Sequence, residues 1–267
     1  MTLQELIDKG KHSYKKEEGI ILFKELLKNK KTLYKGVLHK SDGKESKRCI
    51  NWKSYPSDDS KRKFIDIFAE YLNVNEIFDF EEIVDYTNYN GRESRKELHD
   101  REIELFKNYK NYWVTPSKGK NGKLKRMDED KMCHCFFHAK KISDFVCEDY
   151  QIPLVDGGAN NIDFMMSKGN VLYICEVKKF EAPETLLRCV LEISTYFQQL
   201  NIEKFQKVYS GFEKIQTTIL VPIDSEAYKE YKEISNYPNL QELMHKLDVI
   251  VYGLDYNIET NQFVIKE

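Results

Sequence analysis

The sequence predicts an α/β fold preceded by a mostly helical region, on three observations. Two short apolar runs, residues 162–166 and 171–178, alternate in polarity and are joined by the turn signal Ser167-Lys168-Gly169-Asn170, which makes a β-hairpin. Helical apolar spacing precedes the hairpin over 129–150 and follows it over 183–200. Further apolar strands are expected at 218–221 and 249–252, whereas residues 1–125 carry helical spacing with one strand-like run, Cys49-Ile50-Asn51-Trp52.

Taken in order, the first 125 residues supply helices and no catalytic constellation. Leu3, Leu6 and Ile7, then residues 20–27, recur at helical spacing. Ser57-Asp58-Asp59-Ser60 offers N-caps for a helix whose stripe is Phe64, Ile65, Phe68, Tyr71 and Leu72. Residues 76–86 and 92–109 suit two more, and His99-Asp100 reads as part of a solvated helix face. The segment 107–126 is charged only by Lys107, Lys110, Lys118, Lys120, Lys123, Lys125 and Arg126, with Tyr109, Tyr112 and Trp113 between them. Such a segment can grip phosphates while rings stack on bases, or serve as a solvated linker.

Residues 126–267 form the second region. A helix over 129–150 would turn Met132, Phe136, Ala139, Ile142, Phe145 and Val146 inward. Ile152-Pro153-Leu154-Val155 reads as a short edge strand, where proline is tolerated. Asp156-Gly157-Gly158 turns into the hairpin. Pro183 opens the helix that runs to about residue 200.

Composition sets limits on function. At 267 residues, 32% of them charged, the chain can bury a sizeable core; a net charge of −2 leaves nucleic-acid binding to a local basic patch. No apolar run is long enough to cross a bilayer and the N-terminus lacks a leader-like apolar stretch, so a cytoplasmic location without membrane association is expected. Six cysteines are then expected to be reduced. The run Cys133-His134-Cys135-Phe136-Phe137-His138 lacks an obvious second ligand pair for zinc and reads as ordinary packing.

The chemistry lies in the hairpin. Side chains alternate along a strand, so Asp163, Glu176 and Lys178 project from one face and Ile162, Phe164, Met166, Val171, Tyr173, Cys175 and Val177 from the other. A symmetric four-residue turn would set Met166 opposite Val171, Asp163 opposite Ile174, and Glu176 diagonal to Asp163. Acids and a lysine entering so apolar a ribbon need compensation. A divalent cation held by both carboxylates and a backbone carbonyl supplies it, leaving the ammonium for a substrate oxyanion. The plain alternative is a cross-strand salt bridge on an outer face.

Ile162-Asp163, twelve residues, then Glu176-Val177-Lys178 closing an apolar strand, resembles the active-site hairpin of the PD-(D/E)XK nuclease superfamily. The spelling alone recurs at Glu45-Ser46-Lys47, Asp59-Ser60-Lys61, Glu129-Asp130-Lys131 and Glu230-Tyr231-Lys232; only the copy at 176–178 has the strand and the partner Asp. Ile162 stands where the family name has proline.

The resemblance covers about residues 128–222 and implies a restriction-endonuclease-like αβββαβ core with a mixed sheet. It implies that Asp163 and Glu176, with the carbonyl of Val177, ligate magnesium, or manganese in its place, and that Lys178 orients the water. It further implies a helix-borne acid completing the metal shell, best matched by Glu148 with Asp144 one turn earlier. On the helix from Pro183, exonuclease-like members carry a Gln four residues before a Tyr; here Glu192 precedes Tyr196. Arg188, Glu192, Thr195 and Gln199 would form a polar flank, either facing the cleft with Arg188 on phosphate or lying wet on the surface. The implied function is a metal-dependent nuclease acting on DNA before RNA, with an oligomer allowed. Two other readings stand beside it: a catalytically silent nucleic-acid-binding or assembly module of the same fold, and a site-specific restriction endonuclease whose helical region reads sequence.

Overall fold

The computed structural model describes residues 64–74, 129–154, 161–182, 184–200, 202–257, 259–260 and 262–267. The helices expected at 3–27, 76–86 and 92–109, the strand at 49–52, the caps at 57–60, the basic segment 107–126, the glycine turn at 156–158 and the boundary at 125/126 lie outside the described residues. The elements, in chain order, are α1 (Phe64–Val74), α2 (Glu129–Ala139), β1 (Lys141–Ile142), β2 (Phe145–Pro153), β3 (Asn161–Lys168), β4 (Val171–Val177), α3 (Leu186–Gln199), α4 (Ile202–Val208), β5 (Lys214–Pro222), α5 (Glu226–Lys232), a 3-10 turn (Ile234–Asn236), α6 (Pro238–Lys246), β6 (Val249–Asn257) and β7 (Gln262–Lys266). They are an α/β set with one mixed seven-stranded sheet. No helix among the described residues is long and apolar enough to cross a membrane.

Two compact units divide these elements. One contains α1, α3, α5 and α6. In α1, Ile65, Ala69 and Leu72 recur at helical spacing and are buried. Buried Asp66 accepts from the backbone N–H groups of Asn239 (2.8 Å) and Leu240 (3.1 Å) and from Asn239 Nδ2 (2.9 Å). Those groups open α6, which has no side-chain cap of its own, so an acid from α1 satisfies its orphan donors. Glu230 of α5 does the same for α3, accepting from Leu186 N–H at 2.7 Å. The helix α3 starts at Leu186, three residues later than Pro183 predicts.

The second unit is the sheet with α2 and α4. Its strands lie in chain order, β1 to β7. Neighbours from β1 through β4 and the pair β6–β7 are antiparallel, and β4–β5 is parallel. The sheet curls around α2. Phe136 of α2 lies 5.2 Å from the Phe164 ring on β3 and 4.9 Å from the Phe263 ring on β7. Those strands would be about 19 Å apart in a flat sheet, four strand spacings of about 4.8 Å. The last strand accordingly returns to the beginning of the sheet: Ile265 N–H on β7 donates to Ser143 Oγ in the β1–β2 turn at 3.0 Å, and Lys168 at the end of β3 pairs with Glu267 at 2.9 Å. Met132, Cys133, Ile142, Phe145, Cys147, Met166, Cys175, Val177, Leu220 and Leu254 fill the enclosed core.

Three expectations are corrected. The helix expected over 129–150 ends at Ala139; Lys140 and Ser143 take left-handed backbone (φ 64° and 51°) and the chain returns as the β1–β2 hairpin. Ile142 and Phe145 suit a helical stripe and a strand face equally, and the curled sheet takes them as strand residues. Ile152 and Pro153 are consequently the end of a nine-residue strand with β1 outside it, not a separate edge strand. Finally, the hairpin turn is two residues, Gly169-Asn170, with Gly169 at φ 62°, so Lys168 faces Val171 and Met166 faces Tyr173.

Candidate functional site

The two-residue turn moves the β3–β4 register by two, an even shift that leaves every side chain on its expected face. It changes who stands opposite whom. The ladder's last pair is Phe164 with Cys175, and continuing it sets Asp163 opposite Glu176 instead of diagonal to it. Directly opposed residues stand about 5 Å apart at Cβ, against roughly 7 to 8 Å on the diagonal.

Asp163 is half-buried, while Glu176 and Lys178 are 2% and 4% exposed. Oδ2 of Asp163 accepts from Val177 N–H at 2.9 Å, which ties the carboxylate to the backbone between the other two residues. Lys178 Nζ forms an ion pair with Glu176 Oε1, two residues back on the same face. The Lys178 N–H donates to Leu220 O at 3.1 Å and so extends the β4–β5 ladder past the end of the strand. The lysine is thus anchored at its backbone as well as at its head. The salt bridge is buried and within one strand, not the exposed cross-strand bridge of the plain alternative.

No family model, curated protein or solved structure matches this chain. The site is therefore judged on its own geometry.

Glu148 lies on β2, not on a helix. It occupies the bulge between Cys147 and Asp149, and its Oε1 accepts from Ser167 Oγ at 2.5 Å. Ser167 is four residues along β3 from Asp163, about 13 Å by strand rise, so Glu148 is engaged well away from the opposed acids. Asp144 falls in the turn before β2, again because the helix stops early.

Arg188 belongs to the helical unit. It is 5% exposed, with Glu184 at 3.6 Å and Glu192 at 3.8 Å. Glu192, Thr195 and Tyr196 are buried too, so this part of the flank is not a wet surface. The lysines 118, 120, 123 and 125 and Arg126 lie outside the described residues.

Acids that the sequence reading missed share surroundings with Asp163. Burial raises the Cys133 thiol well above its usual pKa, and the carboxylates of Asp163, Asp130 and Glu129 push it the same way. Gln151 Nε2 donates to Asp130 Oδ1 and Asn161 Nδ2 to Gln151 Oε1, both at 3.1 Å, tying the first turn of α2 to the start of β3. Asp149, 4% exposed and opposite Met165, lies on the face of Asp163; it accepts from Tyr209 Oη at 2.7 Å. Strand alternation from Phe145 would have put Asp149 with Cys147 on the opposite face; the bulge at Glu148 moves it to the face of Asp163, and no sequence signal marks that bulge.

Among the described residues, no three His, Cys, Asp or Glu side chains are grouped to hold a metal ion. Asp163, Glu176 and the Val177 carbonyl are the oxygen groups that would be called on to hold a hard cation, with water completing its shell.

Proposed function

We propose that this protein is a metal-dependent nuclease that hydrolyses phosphodiester bonds, DNA before RNA, built on a restriction-endonuclease-like core. What carries the reading is the β3–β4 register, which continued one residue past its last pair sets Asp163 opposite Glu176, with Lys178 on the same face and Glu176 and Lys178 buried. The chain order α2, β2–β3–β4, α3, β5 and the parallel β4–β5 pair support the αβββαβ assignment.

In this reading Asp163, Glu176 and the carbonyl of Val177 would hold magnesium, with manganese able to replace it. A divalent ion there supplies a lowered water pKa and neutralises phosphate charge. The chain's own contributions are positional and electrostatic. Val177 N–H holds Asp163 Oδ2 in place, and the Lys178 ammonium stabilises negative charge developing on the phosphate or the attacking water. Water adds across one P–O bond: its oxygen ends on phosphorus and a proton passes to the departing sugar oxygen. Glu148 and Arg188 have no part in this scheme.

One observation favours a second reading, a catalytically silent module of the same fold. Glu176 and Lys178 already neutralise each other in a buried pair, as a purely structural pair would. Incubation of the full chain with plasmid, linear and single-stranded substrates, with and without magnesium, decides. The nuclease reading expects magnesium-dependent cleavage that Lys178→Ala abolishes. No cleavage by the unaltered chain, together with no metal-induced rise in melting temperature, favours the silent module. Discrete bands instead of a smear would identify a site-specific enzyme.

A further inference from the structure

The charges at the site are arranged so that one cation already occupies the place of another. Glu176 is 2% exposed and Lys178 4%, and their heads are ion-paired. A carboxylate so buried is costly without a counter-charge, and the ammonium supplies it. Asp163, half-buried and held by Val177 N–H, stands across the ribbon.

We infer that Lys178 is the resident counter-ion of Glu176, which a divalent cation must displace, so that this lysine sets the metal threshold of the site. The inference rests on the metal-dependent reading above and goes beyond it. An ammonium beside the ligand carboxylate opposes an incoming dication twice, by occupying a lone pair of the carboxylate and by like-charge repulsion. Lys178 displaced from Glu176 keeps its backbone bond to Leu220 O, so its head swings from a fixed root. The ammonium is then available to a substrate oxygen only once the site is charged. Hydrolysis and metal occupancy are thereby coupled through one side chain, and the site stays electrically satisfied when metal is scarce.

The consequence is opposite in sign for binding and for catalysis. Removing the ammonium strengthens metal binding while it removes turnover, whereas a lysine that only supports the ligands would, when removed, weaken both. The test is calorimetric titration of manganese into the metal-free full chain, into Lys178→Met and into Lys178→Gln, with Glu176→Gln as the ligand-loss control. Gln at 178 keeps a hydrogen-bond donor for Glu176, so it provides a folded comparison if Met leaves the carboxylate too poorly compensated. Manganese is expected to bind the 178 variants at least about tenfold more tightly than the unaltered chain. It is also expected to raise their melting temperatures further than it raises that of the unaltered chain.

Binding to the unaltered chain with equal or weaker binding to the 178 variants overturns the inference and leaves the metal site standing. Absence of binding to every form overturns both. Tight binding that survives Glu176→Gln puts the ion elsewhere and also overturns it.

Discussion

The carboxylate of Asp163 and the backbone N–H of Val177 are joined across the β3–β4 hairpin by a 2.9 Å hydrogen bond, just beyond the last ladder pair, Phe164 with Cys175. Asp163 therefore has two separable roles, an acceptor that secures the end of the hairpin and a charge available to a cation.

Substitutions at Asp163 should separate those roles. Asp163→Ala loses the acceptor and is expected to cost about 1 kcal/mol or more of stability in metal-free buffer, since a partly buried N–H is left without that partner. Asp163→Asn retains an acceptor oxygen and should cost less. Both should lose the magnesium-induced rise in melting temperature, and melting curves with and without magnesium check this. A full metal response in Asp163→Asn would remove the residue from the ligand set.

Tyr209 donates to buried Asp149 from the end of α4, and the Phe205 ring lies 4.7 Å from its own. Hydrogen bonds to charged groups contribute about 1.5–3 kcal/mol. Tyr209→Phe, which keeps the ring, should lower stability to urea by an amount in that range. A change under about 0.5 kcal/mol, the usual scale of surface substitutions, would mean that the bond contributes nothing.

Arg188 is predicted to be structural. Its guanidinium lies between Glu184 and Glu192, and Arg188→Met leaves their carboxylates without that counter-charge in the interior, at a cost of about 3 kcal/mol. Adding Glu184→Gln and Glu192→Gln should recover part of the loss. If denaturant titration finds Arg188→Met neutral while affinity for nucleic acid falls, the phosphate-contact role is restored.

Alkaline pH should destabilise the fold through its thiols. Burial pushes Cys135 and Cys147 from 9.0 up to about 12. Above pH 9 the unfolded chain gives up these protons while the folded chain keeps them, so the unfolded state binds fewer protons and stability falls as pH rises from 9 toward 12. Denaturant midpoints across that range measure the fall. Alkylation at pH 9 should be slow for Cys135 and Cys147 in the native protein and fast once it is unfolded.

The hairpin was the most legible part of the sequence. Alternation is a property of each strand alone, so Asp163, Glu176 and Lys178 could be assigned to one face without knowing the partner strand. The opposition of the two acids was not legible, because Ser167-Lys168-Gly169-Asn170 accommodates either a four-residue or a two-residue turn. Glu148 was misplaced for a related reason. Ile142, Phe145 and Val146 continue the apolar spacing of Met132 and Phe136, and nothing local stops a helix at Ala139. Arg188 and Glu192 read equally as a cleft-facing or a wet flank; their burial, which helical spacing does not reveal, shows only that they are not a wet surface, and they are paired within α3.

By itself the sequence determined the α/β class, the existence of the hairpin and which of its side chains share a face, since these follow from periodicity within single segments and survive any even change of register. Only the tertiary structure decided the register, the strand character of residues 145–153 and the burial of the Glu176–Lys178 pair. Those depend on closing a curled sheet around α2. Where Phe136 must touch both β3 and β7, the packing of the enclosed core chooses among backbone paths that local preference leaves nearly equal.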